Sequence, residues 1–311
     1  MNYNHFGEFL KHIRTSNNIS IEDLAKGVCS TRQLIRIEKG DNDPSLHVLH
    51  HLSIKLNLDL QEYYRIQFCT GSFLAHRYKD KLEKLIVMQD HNSIRQLIQE
   101  IENMAEFQKG ENLQYIFYGK ALCSARLDKD YISSNDYCLK GLTVEDLDFN
   151  LNTIKDKIYS NVGLTMINLM AINYSRLDEK HKSHQLFEDL FHVLDNQIYN
   201  SPFPMYRSLD FQKKLYQGIT NNLGVIFMDK GQYDKALNYI NKGIELSLKE
   251  SYMRFLPELL HQKSRLLFKI GDYEESRKSY EICLSLYKLA RKVEDVHSLE
   301  KEIETKSFLQ Q

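Results

Sequence analysis

Proline and glycine are scarce in this sequence, with four prolines and 13 glycines among 311 residues. So few breakers leave long helices free to run and argue against a turn-rich β architecture. No stretch approaches about 18 uninterrupted apolar residues, the length a membrane-spanning helix requires. The opening Met1-Asn2-Tyr3-Asn4-His5 is polar, without the apolar centre of a signal peptide. The five cysteines, Cys29, Cys69, Cys123, Cys138 and Cys283, are scattered and odd in number, and no two form a CxxC pair. That pattern excludes a disulfide framework and suits a reducing compartment, so the expected setting is cytoplasmic, with no membrane partner. Net charge is −1, which provides no molecule-wide attraction for nucleic acid or an anionic membrane, so any such contact must be local. No Gly-rich phosphate loop, HExxH or GxSxG is present, so neither an enzyme nor a cofactor is expected. What remains is 42% hydrophobic and 27% charged, too apolar for a disordered chain and, at about 150 residues per domain, enough for two domains.

The first seventy residues read as five short helices. Phe6, Phe9, Leu10 and Ile13 make one apolar stripe that ends near Ser16-Asn17-Asn18. Ser20 caps a second helix with Asp23 three residues on and Leu24, Ala25 and Val28 on its buried side, stopping at Gly27 to Cys29. Ser30 caps a third, in which Leu34 and Ile37 face inward while Thr31, Arg32, Gln33 and Arg36 face outward. Gly40 ends it, and after Asp41-Asn42-Asp43-Pro44 the residue Ser45 opens a fourth helix carrying Leu46, Leu49, Leu52 and Leu56. A fifth begins near Leu60.

This arrangement, with a short turn between helices two and three, is that of a helix-turn-helix DNA reader. The runs Ile19-Ser20-Ile21-Glu22-Asp23-Leu24-Ala25, Ser30 through Arg36-Ile37-Glu38-Lys39-Gly40, and Pro44-Ser45-Leu46 closely resemble the phage-repressor-like (XRE/Cro) family over residues 5 to 68. The resemblance implies that the third helix enters the major groove, placing Thr31, Arg32, Gln33 and Arg36, with Lys39 at its end, on bases and phosphates. One position departs from it: Ile21 stands where the family often has a Gln that touches a backbone phosphate. Two arginines alone would suit a solvated helix face equally well; the joint occurrence of turn, caps and the Arg-Ile-Glu-Lys-Gly ending favours DNA. Acidic and basic residues balance across this segment, so a single copy should bind weakly. The expected form is a homodimer on double-stranded DNA with a palindromic operator.

From about Arg77 the chain reads as successive helical hairpins. Gly231-Gln232-Tyr233-Asp234-Lys235-Ala236, with Ile240 and Gly243, is matched 40 positions later by Gly271-Asp272-Tyr273-Glu274-Glu275-Ser276, with Tyr280 and Cys283. These match the tetratricopeptide (TPR) pattern, in which small residues let helices approach closely. Weaker copies at Asp130-Tyr131, at Ser183 and around Asn92 to Ile101 bring the total to about five hairpins. The fold expected is all-α: a five-helix lambda-repressor-like head over residues 1–68, a linker helix region at 69–76, and a right-handed TPR-like α-solenoid with a C-terminal helix over 77–311.

A phage-repressor-like head followed by tetratricopeptide hairpins is similar to the RRNPP group of Gram-positive quorum-sensing regulators, PlcR-type activators in particular. The local resemblance includes Val28-Cys29-Ser30, Pro44-Ser45, Lys55-Leu56 before Tyr63-Tyr64, and Tyr239 to Ser247. It implies that a short signalling peptide binds in the concave groove and changes how the dimer presents its heads. Asn161-Val162-Gly163 and Asn222-Leu223-Gly224 recur at equivalent points of the expected first helices. An inward amide there offers a donor and an acceptor to a peptide main chain, although such an Asn can equally cap or bridge helices. Asn161 and Asn222 are therefore the candidate peptide ligands, with Asn221 one position out of phase. Tyr115, Tyr118, Tyr159 and Tyr216 read mainly as inter-helix packing, Lys84 and Lys120 as solvated, and His47, His50 and His51 as surface histidines without metal partners.

Overall fold

The computed structural model describes residues 3, 5–64, 73–200, 210–249, 251 and 253–289, and every regular element among them is helical. The chain divides into two compact units, residues 1–119 and 120–311.

The first unit begins with five short helices: α1 (Phe6–Ser16), α2 (Ile21–Ala25), α3 (Thr31–Lys39), α4 (Leu46–Leu56) and α5 (Leu60–Tyr64). The starts of α2, α3 and α4 follow from capping chemistry. Ser20, Ser30 and Ser45 each accept the backbone N–H three residues on, at 3.0, 3.1 and 3.3 Å, satisfying donors that a helix start would otherwise leave open. Gly40 closes α3 in the left-handed region, and the Asp41 N–H returns to the Arg36 carbonyl at 2.9 Å. Phe6, Leu10, Leu24, Leu34, Ile37, Val48, Leu49, Leu52 and Leu60 form one buried cluster.

Two contacts fix α3 against this cluster. Gly7 lies against the end of α3 so closely that a Cβ there would meet the Ile37 carbonyl oxygen. Beside it the buried Arg14 guanidinium forks onto Glu38, with Nε to Oε1 at 2.6 Å and Nη2 to Oε2 at 2.9 Å. Its Nη1 donates to the Ile19 carbonyl at 2.9 Å, so one side chain ties α1 to α3 and to the strap before α2. Its hydrogen bonds to the Glu38 carboxylate hold the guanidinium pKa above its ordinary value. Lys55 of α4 donates to the Asp23 and Leu24 carbonyls at 2.7 and 3.2 Å and also to Lys26, supplying the donor that the end of α2 lacks.

Two more hairpin helices, α6 (Phe73–Met88) and α7 (His91–Ile101), and most of α8 (Gly110–Cys123) complete the first unit. Of the linker expected at 69–76, residues 69–72 lie outside the described residues, and from Phe73 onward the chain belongs to α6. Tyr115 is buried and donates to Glu83 at 2.6 Å.

The second unit takes up the end of α8 and continues through α9 (Tyr131–Glu145), α10 (Asn161–Arg176), α11 (Lys180–Asp195), α12 (Asp210–Asp229), α13 (Tyr233–Lys249), α14 (Leu256–Ile270) and α15 (Tyr273–Leu289). From α9 on each helix packs on the next, and α10 also touches α12 as α12 touches α14. First helices therefore share one layer and second helices the other, as in a stack of hairpins. Paired by sequence, α6 to α15 make five hairpins among the described residues; the expected C-terminal helix beyond 289 lies outside them. Gly231 and Gly271, matched across the two clearest repeat copies, both turn the chain at positive φ, 70° and 88°, where a side chain would strain the backbone. No helix of the described residues is long and apolar enough to cross a membrane.

Two outcomes follow. Arg14→Ala leaves Glu38 buried without its cation, which costs about 3–5 kcal/mol. Hydrogen exchange at α1 and α3 amides should accelerate while α12 to α15 are unaffected, and Arg14→Met/Glu38→Leu should restore most of the protection. In the second unit a Cβ at Gly224 would come within 2.5 Å of Ile240 Cγ1. Gly224→Ala should therefore destabilise the α12–α13 hairpin by about 1–3 kcal/mol, and Ile240→Ala should recover part of that loss in thermal unfolding.

Candidate functional site

Two surfaces carry the chemistry expected from the sequence, one in each unit. On α3, Leu34, Ile37 and Glu38 are buried, whereas Thr31, Arg32, Arg36 and Lys39 are exposed and Gln33 is half-buried. The five candidate DNA contacts thus occupy the solvent side of one helix whose inner side is locked by the Arg14–Glu38 pair. None of Thr31, Arg32, Arg36 or Lys39 makes a side-chain hydrogen bond or ion pair with a described residue, so their donors face solvent. Ile21, the departure from the family pattern, is half-buried and packs on the head's core cluster. It supports the fold rather than reaching outward. Charge balance hid the importance of Arg14, Glu38 and Lys55 in the sequence. Their only signal was being charged residues at helix ends, with Arg14 and Glu38 separated by 24 positions.

In the second unit, α10 buries most of its circumference, leaving one half-exposed line of Asn161, Thr165, Asn168 and Ile172. These recur at helical spacing and form a single stripe. On α12 the half-exposed line comprises Lys214, Gly218, Asn221, Asn222 and Val225, with the two asparagines on either side of Gly218 and Val225. On α14, Glu258, Gln262 and Arg265 form the corresponding line, with Arg265 Nη1 donating to Gln262 Oε1 at 3.0 Å. Because α10, α12 and α14 are neighbours, these amide-bearing lines lie on successive first helices.

The two Asn-x-Gly motifs do not occupy equivalent positions, as their spacing had suggested. Asn161 is the first residue of α10, after the Ser160 cap, whereas Asn222 lies well inside α12. Their glycines differ as well: Gly163 fits beneath Glu145, which receives the Ser160 hydroxyl at 2.9 Å, while Gly224 admits Ile240. Asn161 Oδ1 accepts from Gln212 Nε2 at 2.9 Å and so bridges α10 to α12. The buried Asn221 Oδ1 has no hydrogen-bond partner among the described residues, a state that costs free energy unless a donor arrives. Thr165 and Asn168 escaped the sequence reading, though polar residues at 161, 165 and 168 in an otherwise apolar helix were a legible signal. Lys214 stands in the α12 line, its pKa pushed below the ordinary lysine value by burial and then by the nearby Arg254 charge. Tyr118, Tyr159 and Tyr216 are buried, with Tyr216 donating to Asp195 at 2.8 Å, so they serve packing rather than the surface.

Comparison with known proteins agrees with this architecture. The RNPP family C-terminal domain matches residues 79–304, and a helix-turn-helix family matches residues 10–63. No curated protein matches the sequence. The structure is similar to that of Bacillus thuringiensis PlcR in complex with the peptide PapR7 and DNA, with a TM-score of 0.73 at 19% identity, covering 98% of this chain and 100% of that one. The Streptococcus dysgalactiae SHP pheromone receptor Rgg2 gives 0.60 at 15% identity, over 97% and 100% of the two chains. ComR from S. thermophilus, in complex with DNA and its signalling peptide ComS, gives 0.58 at 19% identity, over 96% and 98%. With its C-terminal domain matched over well more than half of the chain and a helix-turn-helix ahead of it, this protein belongs to the RNPP family, as a helix-turn-helix regulator.

Proposed function

We propose that the chain is a transcription regulator that reads a palindromic operator as a homodimer through α3 and is controlled by a short signalling peptide lying along α10, α12 and α14. The row of amides on adjoining first helices carries the peptide reading, above all the unpartnered Asn221 oxygen. An extended peptide brings main-chain N–H and C=O groups that must be paired when buried, and Asn168, Asn221 and Asn222 offer both kinds of partner. PlcR in complex with PapR7 and DNA, and ComR in complex with DNA and ComS, support the same pair of ligands for this fold. In the α12 line Lys214 would favour a peptide that carries a carboxylate, because an approaching anion offsets its desolvation.

On the DNA side, Arg32, Gln33 and Arg36 have the donors suited to base edges, and Thr31 and Lys39 those suited to phosphates. Control is a population shift. A peptide that binds one arrangement of the hairpins better than another changes how the two heads meet their half-sites, and one that binds both equally does nothing.

Titration with synthetic penta- to octapeptides, combined with gel shifts on the protein's own upstream region, tests this reading. Arg36→Ala should lower DNA affinity by about 1–3 kcal/mol, with peptide affinity unchanged. A DNA affinity that does not fall with rising salt would contradict phosphate contact. Asn222→Ala, and Asn221→Ala beside it, should abolish the peptide response and leave basal DNA binding intact. Equal loss of both activities in a folded Asn222→Ala protein would count against separate sites.

A further inference from the structure

A cavity of about 310 Å³ opens in the second unit between the end of α8 and the end of α10. Arg126, Lys129, Tyr131, Ile172, Asn173 and Arg176 line it. No carboxylate is among its lining residues, and none of the three cations makes an ion pair or side-chain hydrogen bond with a described residue. Other lysines of the same unit do find acids: Lys140 pairs with Asp136 at 2.6 Å, Lys155 with Asp189 at 3.2 Å, Lys157 with Asp146 at 2.5 Å and Lys182 with Glu179 at 2.5 Å. All three cations of the cavity are solvent-exposed at its rim, and an anion placed among them would be attracted by each.

We propose that this cavity binds a small phosphorylated metabolite, making the protein responsive to a second ligand besides the peptide. The inference does not rest on the peptide reading. Two guanidinium forks and an ammonium suit a group with several acceptor oxygens, such as a phosphate monoester, and Arg is favoured wherever two-point recognition of such oxygens is needed. Tyr131 and Ile172 provide an apolar wall for the rest of the molecule, and the volume is at the lower end of small-ligand sites. The far wall is held in place, since Asn173 Nδ2 donates to Ser134 Oγ at 2.8 Å and to Asn135 Oδ1 at 2.9 Å. Lys129 is brought to the rim by a left-handed backbone, φ 58°, a conformation uncommon for a residue with a side chain. A bound phosphate would link α8, α9 and α10, the elements that lead into the amide surface. The competing role for these cations is to neutralise the helix C-termini on which Arg126 and Arg176 sit.

Calorimetric titration of the full chain with inorganic phosphate and with phenyl phosphate, at ionic strength held constant with chloride, separates the two. The expected result is saturable one-site binding, tighter for phenyl phosphate, with acetate giving no saturable heat. Arg126→Gln/Arg176→Gln should weaken it at least tenfold while leaving far-ultraviolet circular dichroism unchanged, about the effect of losing one charge-assisted hydrogen bond. Should that double variant not fold, Lys129→Gln, expected to weaken phosphate several-fold, takes its place. Non-saturable heats in the unaltered protein, affinity unchanged in the folded variants, or acetate binding as tightly as phosphate would each overturn the assignment.

Discussion

The helices of the head are 5 to 11 residues long, below the length at which a helix persists in water by itself. Each exists only because its neighbours hold it, and the direction of α3 is set by what grips its inner side. The grip combines apolar burial of Leu34 and Ile37 with the fork of Arg14 onto Glu38. Apolar packing is non-directional, whereas a two-point ion pair fixes orientation. A buried pair of this kind adds little net stability over well-packed apolar residues of the same size. Its contribution here is geometric, because it keeps the polar side of α3 turned outward.

The same logic extends through the hairpins. A first helix packed between two neighbours and its own partner buries most of its circumference, and the single line left over becomes the available surface. On α10 that line bears Asn161, Thr165 and Asn168, and on α12 it bears Asn221 and Asn222. Amides are costly at such half-dry positions unless paired. Asn161 is paired, through Gln212, whereas the Asn221 oxygen is left open. The stack thus separates a bridging amide from one whose oxygen has no partner among the described residues, a distinction that residue type alone does not make.

Much of the head was legible in the sequence, since its signals are local. A serine with a helix pattern three residues on, or a glycine after the last apolar residue, marks a boundary through hydrogen bonds within one turn, and the helix limits fall where Ser20, Ser30, Ser45 and Gly40 put them. The repeat turns at Gly231 and Gly271 were legible for the same reason. The recurrence of Asn-x-Gly misled because two motifs of identical spelling take different depths in their helices: one follows a cap and the other lies against Ile240. Ile21 shows the converse, a single departure from a family pattern whose consequence is visible only in what it packs against.

What the sequence determined by itself was the helical class, the order of head and hairpins, the caps and the polar side of α3, all consequences of interactions spanning four residues or fewer. The tertiary structure alone decided which charges are structural, through pairs 24 to 32 residues apart such as Arg14 with Glu38 and Lys55 with the end of α2. It alone decided which face of each first helix stays open, and it left Arg126, Lys129 and Arg176 around one cavity. Those outcomes depend on distances between segments remote along the chain, and periodicity within a segment carries no information about its neighbours in space.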